Sequence, residues 1–255
     1  MINLILFAVA LFFAQSNLCL AAPPECKEPG APKGCFEKSA ASTPATLTPV
    51  PDLPVRSDIG ELIANSPFFK LPTGDYSPFE AHTAKPNGTG GTMQEKTSIE
   101  RVAGSPLCRY SWDLVSSVDN KMKSEALMWA GMIPISMRSS DTSKYSTNTS
   151  ISQTTRLDKL TGQPFPLKSG NGFSVEWTSE YVSQYVGKKA ETTVSVTHLT
   201  CQVGATGPAS VVQAGLKGLA TTLACTSTSS VSGRINATTK YWLDSVGCFV
   251  SIPKP

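Results

Sequence analysis

The constraint that weighs most on this chain is the period of its apolar residues. From about residue 106 onward they recur at every second position in short runs, and Gly, Pro, Ser and Thr separate the runs. Cys108, Tyr110, Trp112 and Leu114 alternate with Arg109, Ser111 and Asp113, and Phe173, Val175 and Trp177 alternate with Ser174, Glu176 and Thr178. A two-residue period places one side-chain set on a core and the other in water, which is a half-buried strand. Leu219 to Cys225, Thr239 to Leu243 and Cys248 to Ile252 read in the same way.

Three stretches read less simply. Residues 125–137 carry Leu127, Trp129, Ile133, Ile135 and Met137 on one parity and Ala126, Met128 and Met132 on the other. This predicts one strand covered on both faces, entered by a helical turn from Val118 to Ser124. Residues 141–157 are Ser/Thr-rich and suit an exposed strand or hairpin. Val194 and Val196 are followed by Leu199, Cys201 and Val203 on the opposite parity, which predicts a bulge near His198 or a strand that twists across a corner of a sheet.

Seven or eight strands without the 10–15-residue helical runs of parallel βαβ units define a mainly β fold. The expected architecture is an antiparallel curved sheet, a half-barrel or a sandwich, with one or two short helices. The charged fraction is 16% and Thr and Ser are abundant, as suits the solvent face of strands. A formal charge of +3 with scattered lysines and arginines excludes a phosphate-tracking groove, so no nucleic-acid partner is expected.

The region before the alternating pattern divides into three. Residues 1–21 hold the unbroken apolar run Leu4–Ala14, too short to cross a bilayer as a helix, followed by Gln15-Ser16-Asn17 and the small-residue site Cys19-Leu20-Ala21. They read as a signal peptide, with an uncleaved anchor as the alternative because the n-region lacks Lys and Arg. Bulky Leu18 argues against lipidation of Cys19, and no later segment reaches transmembrane length. Residues 22–57 are rich in Pro, Ala, Ser and Thr and bury too little apolar surface to order themselves, which predicts a flexible leader. Within 58–105, Asp58 with Glu61 has capping-box spacing and Ile59, Leu62 and Ile63 form a stripe, so a short helix ends before Pro67. Irregular chain packed on the 106–255 β domain is expected to follow it.

Cleavage after Ala21 leaves six of the seven cysteines, Cys26, Cys35, Cys108, Cys201, Cys225 and Cys248. An even count in an exported chain predicts disulfides, although six cysteines allow fifteen pairings. Sequence distance favours Cys26 with Cys35 and Cys201 with Cys225, and Cys108 with Cys248 would then tie the first strand of the domain to its last. The last closes a long loop, which stabilises by about 4 kcal/mol in the chain-entropy account. No C-x-x-C pair is present and only His82 and His198 are available to assist, so no metal site or cofactor is expected.

Motifs that would name a reaction are missing. There is no G-x-S-x-G elbow, and Gly170-Asn171-Gly172 precedes a strand rather than a helix, so it reads as a hairpin turn. Glu176 and Glu180 surround Trp177, and an aromatic beside an acid is how many sugar sites begin, while the alternative is that Glu176 simply falls on the polar face of its strand, where acids are routine. Sequons at Asn87, Asn148 and Asn236 fall in segments read as loop or exposed strand. Trp112, Trp129, Phe173 and Trp177 are the candidate ligand-binding residues, since together they can line the cavity of a curved sheet, with simple core packing as the alternative account of the same residues.

Over residues 160–252, Phe165-Pro166-Leu167-Lys168-Ser169-Gly170, Cys201-Gln202-Val203, Gly218-Leu219-Ala220 and Tyr241-Trp242-Leu243-Asp244-Ser245-Val246-Gly247 follow in order. This arrangement resembles uncharacterised bacterial periplasmic domains of curved antiparallel sheet, similar to the half-barrels of lipoprotein-carrier proteins. The resemblance implies a single curved-sheet domain and a non-enzymatic role. The expectation is a secreted or periplasmic binding protein for an apolar small ligand, a lipid or an envelope partner. The alternatives are a structural or adhesive protein, which would show a flat exposed aromatic patch, and a wall- or sugar-directed hydrolase with paired carboxylates.

Overall fold

The computed structural model describes residues 53–86, 92–116, 120–143 and 146–251. The proposed signal peptide, Cys26, Cys35 and the Asn87 sequon lie outside them. An α-helix, α1 (Ser57–Asn65), and a 3-10 turn (Pro67–Phe69) precede a sheet of eleven strands. These are β1 (Phe79–Pro86), β2 (Thr92–Arg101), β3 (Leu107–Ser116), β4 (Lys121–Trp129), β5 (Ile133–Thr142), β6 (Thr147–Gly162), β7 (Gly172–Tyr185), β8 (Glu191–Pro208), β9 (Leu219–Ser229), β10 (Ile235–Leu243) and β11 (Cys248–Val250). Every strand pairs antiparallel with its sequence neighbour, so the fold is one meander curled into a half-barrel.

Bulges supply part of the curl, because an extra residue on one strand bends it and sharpens the twist. Register shifts lie at Leu127/Met128, at Thr154/Arg156 and Asp158/Thr161, and at Val203/Thr206. The curl brings β11 over the first strands. Trp242 and Phe249 join a large cluster with Trp129, Ile133, Val175, Leu199 and Leu223, while Leu243, Cys248 and Val250 join a second with Phe79, Ile99 and Cys108. The last hairpin is therefore buried on both faces, and the Cys108–Cys248 disulfide ties it to β3. Cys201–Cys225 joins directly opposed residues of β8 and β9. Both pairings agree with the sequence expectation.

Four local expectations are corrected. The chain between the 3-10 turn and residue 98, read as irregular, contains the hairpin β1–β2, whose apolar anchors Phe79 and Ile99 are spaced too widely among polar residues to register as a pattern. The sheet thus begins well before residue 106. Residues 125–137 are two strands, not one, and Lys121–Ser124 is already strand rather than helical turn. The apolar run continues through the Ala130-Gly131 turn because that turn is itself core: both residues have positive φ, and Phe249 N–H donates to Ala130 O at 2.7 Å. The β8 pairing with β7 runs unbroken through His198, and Val194 and Val196 lie on the outer face opposite buried Ser195. The apparent change of phase arises because the inward positions there are serine. Finally, α1 carries no side-chain cap bond; Asp58 is bound by Arg56, which lowers its pKa, instead of capping with Glu61.

A Cβ at Gly131 would lie 2.3 Å from Phe249 O, in addition to the left-handed backbone that disfavours any side chain. Gly131→Ala is expected to lower stability by at least about 2 kcal/mol in denaturant unfolding. Replacing both Cys108 and Cys248 by Ser is expected to cost about 4 kcal/mol, more than the same change at Cys201 and Cys225, because the closed loop is longer, 140 residues against 24. Paired unfolding curves check the order.

Candidate functional site: the concave face of the half-barrel

Along the central strands the inward positions change chemistry from one end to the other. On β7 Phe173, Val175 and Trp177 give way to Ser179; on β6 Leu157 gives way to Thr154, Ser152 and Ser150; on β5 Ile133, Ile135 and Met137 give way to Ser139. The cross-strand register aligns these residues into an apolar end and a hydroxyl end of one concave face.

The apolar end holds a guest from outside the sheet. Ile59 and Ile63 of α1 pack into it with Phe68 and Phe69 of the 3-10 turn. Trp129 Nε1 donates to Phe69 O at 3.0 Å, and the Phe69 and Trp129 rings meet edge to face at 5.3 Å. Phe68 lies 6.0 Å from the Phe173 ring. A Pro-Phe-Phe turn enters because Pro67 sets the first residue of the turn and Ser66 accepts the Phe68 N–H. Next to this group Trp242 stacks edge to face with Phe165 at 4.7 Å and Phe249 at 5.1 Å. Phe165 is only half-buried, so this aromatic group reaches the rim.

Three of the four expected ligand-binding residues, Trp129, Phe173 and Trp177, meet in this cluster. Trp112 does not. It stands in the hydroxyl-end row with Ser124, Ser139 and Ser150, and its Nε1 donates to Glu95 Oε1 at 2.7 Å. The residues that sequence reading missed are Phe68, Phe69, Phe165, Phe249 and Trp242. Their one signal was aromatic residues beside prolines and turns, which alternation does not register.

At the hydroxyl end Ser195 and Ser229 are bonded at 2.9 Å and Thr154 donates to Pro134 O at 2.6 Å. Ser124 Oγ, Asn148 Oδ1 and Asn236 Nδ2 are buried on this face without a hydrogen-bond partner among the described residues. Asn236 is 8% exposed, and Asn148 is half-buried. These sequon side chains therefore sit in the sheet and point inward, contrary to the loop or exposed-strand reading. An N-glycan on the Asn236 amide has no room in this fold.

On β10 the inward set is Asn236, Thr238, Lys240 and Trp242. Lys240 is 6% exposed, and its Nζ makes one hydrogen bond, to Ser251 Oγ at 3.3 Å. Burial alone pushes its pKa down to about 8. No acidic side chain pairs with it among the described residues.

Glu176 and Glu180 do not assemble a hydrolytic pair with each other. Glu176 is held by Lys159, whose Nζ is 2.7 Å from Oε1, and Glu180 is exposed. Both lie on the outer face four residues apart, about 13 Å along a strand, against the roughly 5–10 Å that paired carboxylates need. His82 is exposed near Glu80, and His198 Nε2 lies 3.2 Å from Thr200 Oγ1. Among the described residues no three His, Cys, Asp or Glu side chains group as a metal site, and no helix is long and apolar enough to cross a membrane. All four tryptophans are buried, and the exposed large apolar residues are aliphatic except Tyr185, so an aromatic patch is not formed among the described residues. Compared with protein-family models, with curated proteins and with solved structures, the chain matches none.

Lys240 gives a pH prediction of definite sign. Its folded pKa lies below the ordinary 10.5, so the unfolded chain holds the proton more tightly. The stability penalty is full below pH 8 and is relieved as pH rises through 8 toward 10.5. Lys240→Met is expected to be more stable than the parent at pH 7 by about 3 kcal/mol, with the gap closing by pH 10. Urea midpoints of the two proteins across that range check it.

Proposed function

We propose that this protein is a non-enzymatic extracytoplasmic binding protein whose half-barrel receives an apolar small ligand or the chain of a lipid. One observation carries the reading: the aromatic end of the concave face already hosts apolar groups foreign to the sheet, Ile59, Ile63, Phe68 and Phe69. A curved sheet that closed on its own side chains would not need them. The 57–69 segment then stands where a ligand would lie and yields the space when one enters. Two disulfides fit an oxidising compartment, in line with the export signal read from residues 1–21.

Phe68→Ala removes one ring of the guest but keeps the Phe69–Trp129 hydrogen bond, at a cost of about 3 kcal/mol. The folded variant is expected to take up the neutral dye N-phenyl-1-naphthylamine several-fold better than the parent. Solvent extraction of the purified parent, read by mass spectrometry, is expected to release a lipid. An extract without lipid together with no dye uptake by the variant would sink the reading.

A further inference from the structure

A sheet interior rarely contains an ammonium group without an acid. Lys240 is such a group: 6% exposed, bonded among the described residues only to Ser251 Oγ, with fully buried Leu223 as its cross-strand neighbour on β9. Taking a charge out of water is expensive unless an opposite charge or several acceptors replace the solvent, and one hydroxyl does neither. A second observation points the same way. Four residues back on the same face of β10, the Asn236 amide is a buried donor with no acceptor among the described residues. The inner face of β10 thus carries an excess of donors.

The surroundings specify what supplies the acceptors. Ser251 is exposed, so the ammonium lies under the surface at the end of β11. Two residues along β10, Trp242 faces the same side and continues into Phe165 and Phe249, with Phe165 half-buried at the rim. A cation and an aromatic lining lie about 7 Å apart along one face of the strand, the first next to exposed Ser251 and the second next to half-buried Phe165. That is the spacing of an anionic head and the first carbons of its tail.

We propose that Lys240 is the head-group site for the carboxylate of an acyl-chain amphiphile, with the chain laid along Trp242 and Phe165. This rests on the binding reading given above and names the ligand class. It also accounts for a residue that costs the fold stability when nothing is bound.

The test is calorimetric titration of the full chain with dodecanoate and with neutral dodecanol, at pH 7 and pH 9.5, in the parent and in Lys240→Met. A charged hydrogen bond predicts at least about tenfold tighter binding of dodecanoate than of dodecanol by the parent at pH 7. The preference should shrink at pH 9.5, where Lys240 has lost its proton while the carboxylate stays ionised. In Lys240→Met the two ligands should bind equally at both pH values. Equal affinities in the parent, or a preference that survives in Lys240→Met, would overturn the lysine assignment and leave the binding reading standing. Failure of both ligands to bind any form of the protein would overturn both.

Discussion

The structure depends on the two-sided burial of its last hairpin. A half-barrel leaves two free edges, and an unpaired strand edge invites association with other chains. Here the final edge is folded inward. β11 sends Phe249 into one core and Cys248 with Val250 into the other, and it donates a backbone hydrogen bond to the β4–β5 turn. The Cys108–Cys248 disulfide holds this overlap across 140 residues. The opposite edge, β1, carries Glu80, His82 and Pro86, residues that discourage strand addition.

This overlap determines where the concave face is dry and where it is polar. The hairpin and the Pro-Phe-Phe turn crowd one end of the roll with rings, and the strands beyond them present serine and threonine. Small hydroxyl side chains satisfy one another there without large volumes, as in the Ser195–Ser229 and Ser139–Ser150 pairs. Between the two regimes, on β10, lies Lys240. Its position at the boundary, with Trp242 on one side and Asn236 on the other, makes β10 the strand with the most distinctive chemistry on the face.

Much of the architecture was legible in the chain. Alternation in Cys108–Leu114 and Phe173–Trp177 marked true strands with the correct inward parity; Cys201–Cys225 pairs as sequence distance suggested, and Cys108–Cys248 as the pair this leaves. Failures occurred where burial and polarity part company. Ser195 is buried and Val194 is exposed, so a pattern that equates apolar with inward loses its phase. The Ala130-Gly131 turn is inside the core, so an apolar run conceals a chain reversal. The candidate site was half legible: its tryptophans were visible, but the residues they hold come from a segment that looked like a connector.

By itself the sequence determined the class of fold, because a two-residue period punctuated by turns admits little besides antiparallel sheet. It also suggested the local pairing of Cys201 with Cys225. Only the tertiary structure decided how far the sheet rolls, which inward face meets which, and that Phe68 and Phe69 fill the space the tryptophans define. The reason is physical. Local period reports which side of a strand turns from water, whereas the identity of what lies opposite depends on curvature accumulated over eleven strands and their bulges.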